Sequence, residues 1–257
     1  MFLKIFSVLL WLIAATVTQA GVVINGTRVI YREADGETVV QLLNKGEGPL
    51  LVQSWIDDGD AQAKIESLKV PFTLMPSVAR IDPAKGQAIR VLLTRKELPT
   101  DRESLLWFNV LEIPPMPSRQ LAKGDNLLQF SFRTRIKFFY RPAGLGSSPE
   151  DALKQLRFAI GHDAKGELTV RVSNPSPYHI TFRSISLRHK QEGPALAELG
   201  NTYERMVSPA GELTLPLHWL DKAAAASGKL SLFFTAINDQ GGDSRLQQGL
   251  LETDGRG

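Results

Sequence analysis

The fifteen residues from Leu128 to Pro142, LQFSFRTRIKFFYRP, constrain the fold more than any other part of this 257-residue chain. Apolar side chains at Leu128, Phe130, Phe132 and Ile136 alternate with polar and cationic ones. A period of two residues is typical of a β-strand with one apolar face and one solvated face. The pattern therefore predicts a strand, and from periodicity alone its apolar face is expected to fill the chain's own core.

The first twenty residues have the composition of an export signal. Lys4 supplies a positive start, an apolar run extends from Ile5 to Val17, and Thr18-Gln19-Ala20 offers the small residues that a signal peptidase reads. The apolar run is shorter than the roughly 20 residues that cross a bilayer. We therefore expect residues 1–20 to be a signal peptide cleaved before Gly21, with an N-terminal membrane anchor as the alternative.

Composition excludes several classes of function. The chain has no cysteine, so an exported protein of this sequence cannot rely on disulfides and must bury a proper core. No other apolar run approaches transmembrane length, which predicts no stable membrane insertion. The net charge of +3 is too small to indicate nucleic-acid binding. The sequence contains no P-loop, so energy-dependent chemistry is not expected.

The sequence also lacks the spacings that catalytic and metal sites need. The histidines show neither HxH nor HExxH spacing, and there is neither a GxSxG motif nor a cysteine nucleophile. The acidic turn Asp57-Asp58-Gly59-Asp60 could attract calcium but lacks the further ligands of an EF-hand, and we interpret it as solvated. We expect no enzymatic activity, no cofactor and no metal site.

Short strands separated by turns run along almost the whole chain after Gly21, which predicts an all-β protein built of β-sandwiches. The small, polar segment GLGSSP (144–149) is a good domain boundary. We expect a first domain at 21–143, a hinge at 144–150, a second domain at 151–251 and a flexible tail at 252–257. The residues from Asp239 onward are polar and are expected to fray towards the end.

Several motifs occur in a fixed order along both expected domains. They are Gly26-Thr27-Arg28-Val29-Ile30-Tyr31, Asp101-Arg102-Glu103-Ser104-Leu105-Leu106-Trp107-Phe108-Asn109 with Glu112-Ile113-Pro114-Pro115, Arg135-Ile136-Lys137-Phe138-Phe139-Tyr140-Arg141-Pro142, Asn174-Pro175-Ser176-Pro177-Tyr178, and Ile237-Asn238-Asp239. Any one of them is weak evidence, but the set is specific. Together they resemble the PapD-like periplasmic chaperones of the chaperone–usher pilus pathway.

The resemblance implies two immunoglobulin-like β-sandwich domains in a boomerang arrangement. It also implies an ATP-independent periplasmic chaperone that binds pilus or fimbrial subunits and delivers them to an outer-membrane usher. Subunits of this pathway are immunoglobulin-like folds that lack their last strand, and the chaperone lends them one. This is a form of strand addition, in which backbone bonds give affinity and side-chain pockets give register.

The resemblance assigns roles to nine residues of this chain. The donor-strand residues are Leu128, Phe130 and Phe132, with Ile136 as a fourth candidate. The pair that anchors the client's C-terminal carboxylate is Arg28 and Lys137. The ionic triad between the domains is Glu103, Arg141 and Asp239, three charges that the residues alone could equally place at strand ends on the surface.

Two questions stay open at this point. The segment 116–126 is longer than in short-loop members of the family, yet it lacks the cysteine pair of many long-loop members, so the subfamily is undecided, archaic-type systems included. The rival hypothesis is a secreted two-domain β-sandwich that serves as an adhesive or structural module without a client. A chaperone is expected to expose the face of Leu128 to Phe132 when empty, whereas an adhesin is not.

Overall fold

The computed structural model of the protein describes residues 21–116, 126 and 128–249. The described chain is nearly all β and forms two β-sandwich domains, each with its own apolar core, so the predicted fold class is confirmed. The expected signal peptide, the tail at 252–257 and most of the 116–126 segment lie outside the described residues. The domain limits given above therefore stay predictions.

The described residues of the first domain form nine strands. They are β1 Val22–Ile24, β2 Arg28–Arg32, β3 Glu37–Asn44, β4 Leu50–Asp57, β5 Phe72–Met75, β6 Val78–Ile81, β7 Gly86–Leu93, β8 Ser104–Ile113 and β9 Phe132–Arg141. Short 3-10 turns occupy Glu33–Asp35 and Ile65–Ser67. Strand β8 ends before Pro114-Pro115, because proline cannot donate to a ladder.

These strands form two sheets that pack face to face. One sheet has the order β1-β3-β7-β5 and the other β2-β9-β8-β4-β6. The pairs are antiparallel except that β2 runs parallel to β9. An aromatic cluster of Tyr31, Phe72, Phe138 and Tyr140 lies between the sheets, with ring centroids 5.0–6.2 Å apart. Buried aromatic rings of this kind dominate the energetics of a core.

The second domain forms eight strands in the part of the chain described up to Gly249. They are β10 Arg157–His162, β11 Leu168–Asn174, β12 Ile180–Arg188, β13 Ala197–Leu199, β14 Met206–Val207, β15 Gly211–Trp219, β16 Ser231–Ile237 and β17 Asp243–Gly249. Hydrogen bonds connect them in the order β10-β11-β15-β13-β12-β16-β17, and β14 pairs with β12. Phe158, Phe182 and Phe234 are mutually in contact at the centre of the core.

Two short helices complete the described chain. Helix α1, Pro149–Gln155, begins after Ser148, whose hydroxyl accepts a hydrogen bond from the Asp151 amide at 3.1 Å. Helix α2, Lys222–Ala225, is capped in the same way by Asp221. Side-chain oxygens at the N-cap satisfy amides that have no partner in the helix. Within residues 21–116 and 128–249, neither helix is long and apolar enough to cross a membrane.

Three elements add detail to the sequence pattern. The run from Val22 to Tyr31, which alternates loosely in the sequence, is divided by Gly26, which has φ of 130°, so that β1 joins one sheet and β2 the other. In the polar segment after Asp239, β17 pairs with β16 along seven residues, and the expected fraying at the end of the chain lies outside the described residues. The closing strand of the first domain starts at Phe132, and Leu128 to Ser131 lie before it without strand pairing.

Candidate functional site

Arg141, the last residue of β9, contacts a carboxylate from each domain. Its Nη1 and Nη2 donate to Asp239 Oδ2 and Oδ1 at 2.7 and 2.9 Å, and its Nη2 and Nε donate to Glu103 Oε1 at 2.9 and 3.2 Å. Burial alone would lower the pKa of Arg141, but its bonds to Asp239 and the charge of Glu103 outweigh burial and raise it. The three residues of the expected ionic triad thus lie in contact.

Further contacts surround the triad. Glu103 Oε2 accepts a hydrogen bond from the His179 amide at 2.9 Å, and the Glu103 amide donates to Pro177 O at 2.9 Å. The guanidinium of Arg141 lies over the ring of Tyr178 at 5.0 Å. Burial would raise the pKa of Asp239, but hydrogen bonds from Arg141 and the charge of Arg141 hold it below its usual range. Residues of both domains therefore share one bonded network.

Arg28 and Lys137 are direct partners in the parallel pairing of β2 with β9. The Nη1 of Arg28 donates to Ile237 O of the second domain at 3.1 Å, whereas its buried Nε has no hydrogen-bond partner within the described part of the chain. In that part, the Lys137 ammonium likewise makes no ion pair or hydrogen bond. Burial and the neighbouring charge of Arg28 lower the pKa of Lys137 to about 8. The two cations thus form a partly buried pair with unused donors.

Strand β9 is bonded on both edges along only half of its length. Strand β8 pairs with all of it from Phe132 to Tyr140, but β2 begins opposite Lys137. On the β2 side, the stretch from Phe132 to Ile136 therefore has no partner strand among the described residues. Unpaired N–H and C=O groups on such an edge are a template for another strand.

The apolar side chains before β9 are exposed. Leu128, Phe130 and Phe132 have relative exposures of 80%, 61% and 65%, and none of the three packs into the core of the first domain. Ile136 differs from them, because it is partly buried and packs against that core. The side of β9 on which Phe138 packs into the core therefore continues, towards the start of the strand, as an exposed row of apolar side chains. We call the three exposed residues Leu128, Phe130 and Phe132 the donor stripe.

The structure contradicts the interpretation of Asp57 as a solvated turn residue. It lies at the end of β4 with 1% of its side chain exposed, and it accepts hydrogen bonds from Arg135 Nε at 3.0 Å, from Arg133 Nη2 at 3.3 Å and from Asn109 Nδ2 at 2.8 Å. Burial would raise its pKa, but the bonds from Arg135 and Asn109 lower it. Asp58 and Asp60 are exposed, as expected.

The two arginines bonded to Asp57 also lie over tryptophan rings of neighbouring strands. Arg133 is 4.8 Å from the ring centroid of Trp55 on β4, and Arg135 is 4.1 Å from that of Trp107 on β8. Such contacts between a cation and a ring are attractive. The cationic face of β9 is therefore fixed to β4 and β8 directly behind the half of β9 that has a free edge. In the described ranges, no group of His, Cys, Asp and Glu side chains could hold a metal ion.

Comparisons with known proteins match both parts of the chain to the same family. A family model described as the pili and flagellar-assembly chaperone, PapD N-terminal domain, matches residues 21–146, and one described as the pili assembly chaperone PapD, C-terminal domain, matches residues 151–248. The probable fimbrial chaperone YadV of Escherichia coli is 42% identical over 227 residues, which cover 87% of each chain. The chaperone protein FimB/FhaD of Bordetella pertussis is 36% identical over 242 residues, covering 93% of this chain and 91% of the relative.

A solved structure shares both the fold and part of the sequence. The structure of Salmonella enterica SafA pilin in complex with the SafB chaperone matches with a TM-score of 0.67 and 26% identity, covering 91% of this chain and 99% of the matched chain. The chain belongs to the PapD-like family of pilus-assembly chaperones, which confirms the predicted family. It is a chaperone of pilus subunits, and the rival hypothesis of a stand-alone adhesive or structural module is not favoured. The role of this family is not enzymatic.

Proposed function

We propose that the protein captures a pilus or fimbrial subunit in the periplasm by adding β9 and the residues before it to the subunit's incomplete fold. The observation that carries this proposal is the free edge of β9 between Phe132 and Ile136, which ends at the pair of Arg28 and Lys137. Strand addition requires an unpaired edge next to side chains that can fill pockets of the client. Here the free edge lies on β9, and the apolar side chains lie at its first residue and in the segment directly before it.

The direction of the client strand follows from the anchor. A terminal carboxylate held by Arg28 and Lys137 must end where β2 begins, so the client strand runs towards Lys137 along the free edge. It is then collinear with β2 and parallel to β9, since β2 is itself parallel to β9. From Leu128 to Lys137 the two chains can run together for about 30 Å at roughly 3.3 Å per residue.

The donor stripe supplies the apolar side chains for the client's groove. Leu128, Phe130 and Phe132 alternate with polar residues, so all three point to the same face of an extended segment. Burying each is worth roughly 1.5–3 kcal/mol, or on the order of 5–9 kcal/mol in total before the cost of ordering the segment. Ile136 belongs to the protein's own core and contributes less to the client.

Arg28 and Lys137 have the chemistry that a carboxylate anchor needs. Charge-assisted hydrogen bonds are shorter and stronger than neutral ones, about 1.5–3 kcal/mol each. The buried Nε of Arg28 is a donor without a partner in the described chain, so a carboxylate would satisfy it. An anchor at a fixed point also sets the register, because a slip of one residue would turn every client side chain to the wrong face.

The contacts between the domains support a structural role for the ionic triad. Arg141 and its two carboxylates join the domains beside Arg28, whose Nη1 bonds to Ile237 O of the second domain. Loss of the triad would therefore displace Arg28, one of the two anchor residues. The export signal predicted at residues 1–20 and the absence of a P-loop from the sequence favour an ATP-independent role in the periplasm, with release of the subunit to an outer-membrane usher.

The proposal is tested by co-expressing the chain with the subunit encoded beside it and measuring the complex in periplasmic extract by native mass spectrometry. We expect a one-to-one complex that is lost in Lys137→Ala and in Arg28→Ala. Lys165→Ala, which removes an exposed lysine of the second domain, is the matched control and should leave the complex unchanged. Normal capture by both anchor variants, with folding verified by circular dichroism, would show that the anchor assignment is wrong.

A further inference from the structure

Glu112 is a buried carboxylate that the proposed function does not use. It lies near the end of β8 with its side chain on the same face as the core residues Phe108 and Val110, and only 7% of the residue is exposed. No lysine, arginine or histidine in the described part of the chain forms an ion pair with it. Burial raises the pKa of Glu112, and the Val22 amide opposes this only in part. A buried charge without a counter-ion is costly.

Gly21 packs directly against this carboxylate. A Cβ on Gly21 would overlap Glu112 Oε2 and would lie 2.9 Å from Leu50 Cδ1. Gly21 is held there because its carbonyl oxygen accepts a hydrogen bond from the Lys45 amide at 2.8 Å, and β1 continues from it into the sheet. Two substituents of one Cα lie about 2.5 Å apart, so the nitrogen of Gly21 lies within about 5 Å of Glu112 Oε2.

We propose that Glu112 is the binding site for the α-ammonium group of Gly21, which exists only after the signal peptide has been removed. Hydrolysis of the bond between Ala20 and Gly21 adds water, leaves the new carboxylate on the signal peptide and gives Gly21 an amine that takes up a proton at neutral pH. Before cleavage the same nitrogen is an uncharged amide. The counter-ion of Glu112 is thus created by processing of the chain.

The proposed ion pair lies at the end of the first domain where β9 begins. Glu112 is paired across the sheet with Phe132, the first residue of β9, and with Val52 of β4. The residues after it, Pro114 and Pro115, accept hydrogen bonds from the Gln129 side chain at 2.9 and 3.1 Å. Pairing of Glu112 with the terminus therefore stabilises this end of the first domain in the mature protein, independently of whether a client is bound.

A double-mutant cycle tests the ion pair. The mature chain beginning at Gly21 is compared with a chain that carries one extra serine before Gly21, each with Glu112 and with Glu112→Gln, and stability is measured by urea unfolding. We expect the extension to raise the unfolding equilibrium constant at least about tenfold with Glu112 but by no more than about twofold with Glu112→Gln. Glu47→Gln, an exposed acid in the adjacent turn, is the control and should keep the full effect of the extension.

An equal effect of the serine in the Glu112 and Glu112→Gln chains would overturn the proposal, because a steric effect does not depend on the carboxylate charge. If Glu112→Gln does not fold, carbon NMR of the wild-type Glu112 carboxyl gives the answer without a variant. Its pKa should be lower in the chain that begins at Gly21 than in the extended chain, and equal values would contradict the ion pair. Intact mass of the exported protein must give Gly21 as the first residue; another terminus would refute this inference without affecting the proposed client capture.

Discussion

Arg28 and Lys137 are paired residues on the adjacent parallel strands β2 and β9, so two cations are held side by side at the point where the free edge of β9 ends. Burial of a cation and repulsion between like charges both oppose folding, and burial first and the charge of Arg28 second lower the pKa of Lys137. The fold keeps this unfavourable pair beside Ile237 of the second domain. A bound carboxylate would remove the repulsion, which makes client binding and stability opposing requirements at these two residues.

Replacing Lys137 with methionine should therefore raise stability and abolish client capture. Methionine fills the space of the lysine stem without its charge, so we expect the free energy of unfolding at pH 7 to rise by about 1 kcal/mol, which allows for solvent screening at this partly buried position. Urea unfolding measures the first effect and native mass spectrometry the second. Lys165→Met should change neither, and a destabilised Lys137→Met chain that still captures the subunit would contradict the argument.

Client affinity should fall as the pH rises through about 8. Lys137 in the free protein loses its proton near that pH, whereas a bound carboxylate favours the charged form and raises its pKa, so binding takes up a proton above pH 8. The stability of the free protein depends on pH in the opposite direction. The pKa of Lys137 in the folded protein lies below the unfolded value of about 10.4. Between these two pH values the unfolded chain therefore binds more protons than the folded one, and stability rises with pH. Titration calorimetry from pH 7 to 9.5 with Lys137→Met as the reference measures the binding effect.

The sequence predicts the fold class and the stripe of alternating residues, but it does not predict that Asp57 is buried and bonded to two arginines. Three aspartates in a four-residue turn are normally solvated, and the two arginines that bury Asp57 are more than 70 residues away in sequence. Strand β17 is missed for a different reason, since an edge strand with the sequence DSRLQQG has little apolar pattern. Helix α1 is preceded by a recognisable helix-start sequence, Ser148-Pro149, which lies within a segment interpreted as a hinge.

Removing the arginine of the ionic triad should destabilise the protein more than removing an exposed arginine. Arg141→Ala leaves Glu103, with 2% of its side chain exposed, without its arginine partner, and losing one partner of a buried pair costs about 3–5 kcal/mol. Arg183→Ala breaks a pair of the second domain that is largely exposed and should cost less than about 1 kcal/mol. Thermal melting and small-angle scattering test both variants. Unchanged melting and unchanged shape for Arg141→Ala would refute a role of the triad in holding the domains.

Asp57→Asn should loosen the half of β9 that has the free edge. The variant keeps the shape of Asp57 but removes the charge that Arg133 and Arg135 share, so we expect a loss of about 2–3 kcal/mol and faster amide hydrogen exchange from Arg133 to Ile136. Glu37→Gln, which breaks the exposed pair with Arg90, is the control. Since the folded pKa of Asp57 is lowered, its contribution is complete above the unfolded value of about 3.9 and is lost as the pH falls through the folded value. Unchanged exchange in β9 would show that Asp57 does not position this strand.

The donor stripe and Ile136 should respond differently to truncation, although all four side chains share one alternation. Phe130→Ala removes a ring that is 61% exposed in the free protein, so stability should change by less than about 0.5 kcal/mol while client affinity falls about tenfold or more. Ile136→Ala removes methyl groups that pack against the core of the first domain and should cost about 1–3 kcal/mol of stability.

Urea unfolding of the free protein and competition for one subunit separate the two effects. Leu128→Ala should behave like Phe130→Ala, because Leu128 is even more exposed. If Phe130→Ala destabilised the free protein as much as Ile136→Ala, the stripe would be packed in solution rather than available to a client. If it left capture unchanged while Lys137→Met abolished it, the carboxylate anchor would suffice and the side chains of the stripe would not be the residues that fill the client's groove.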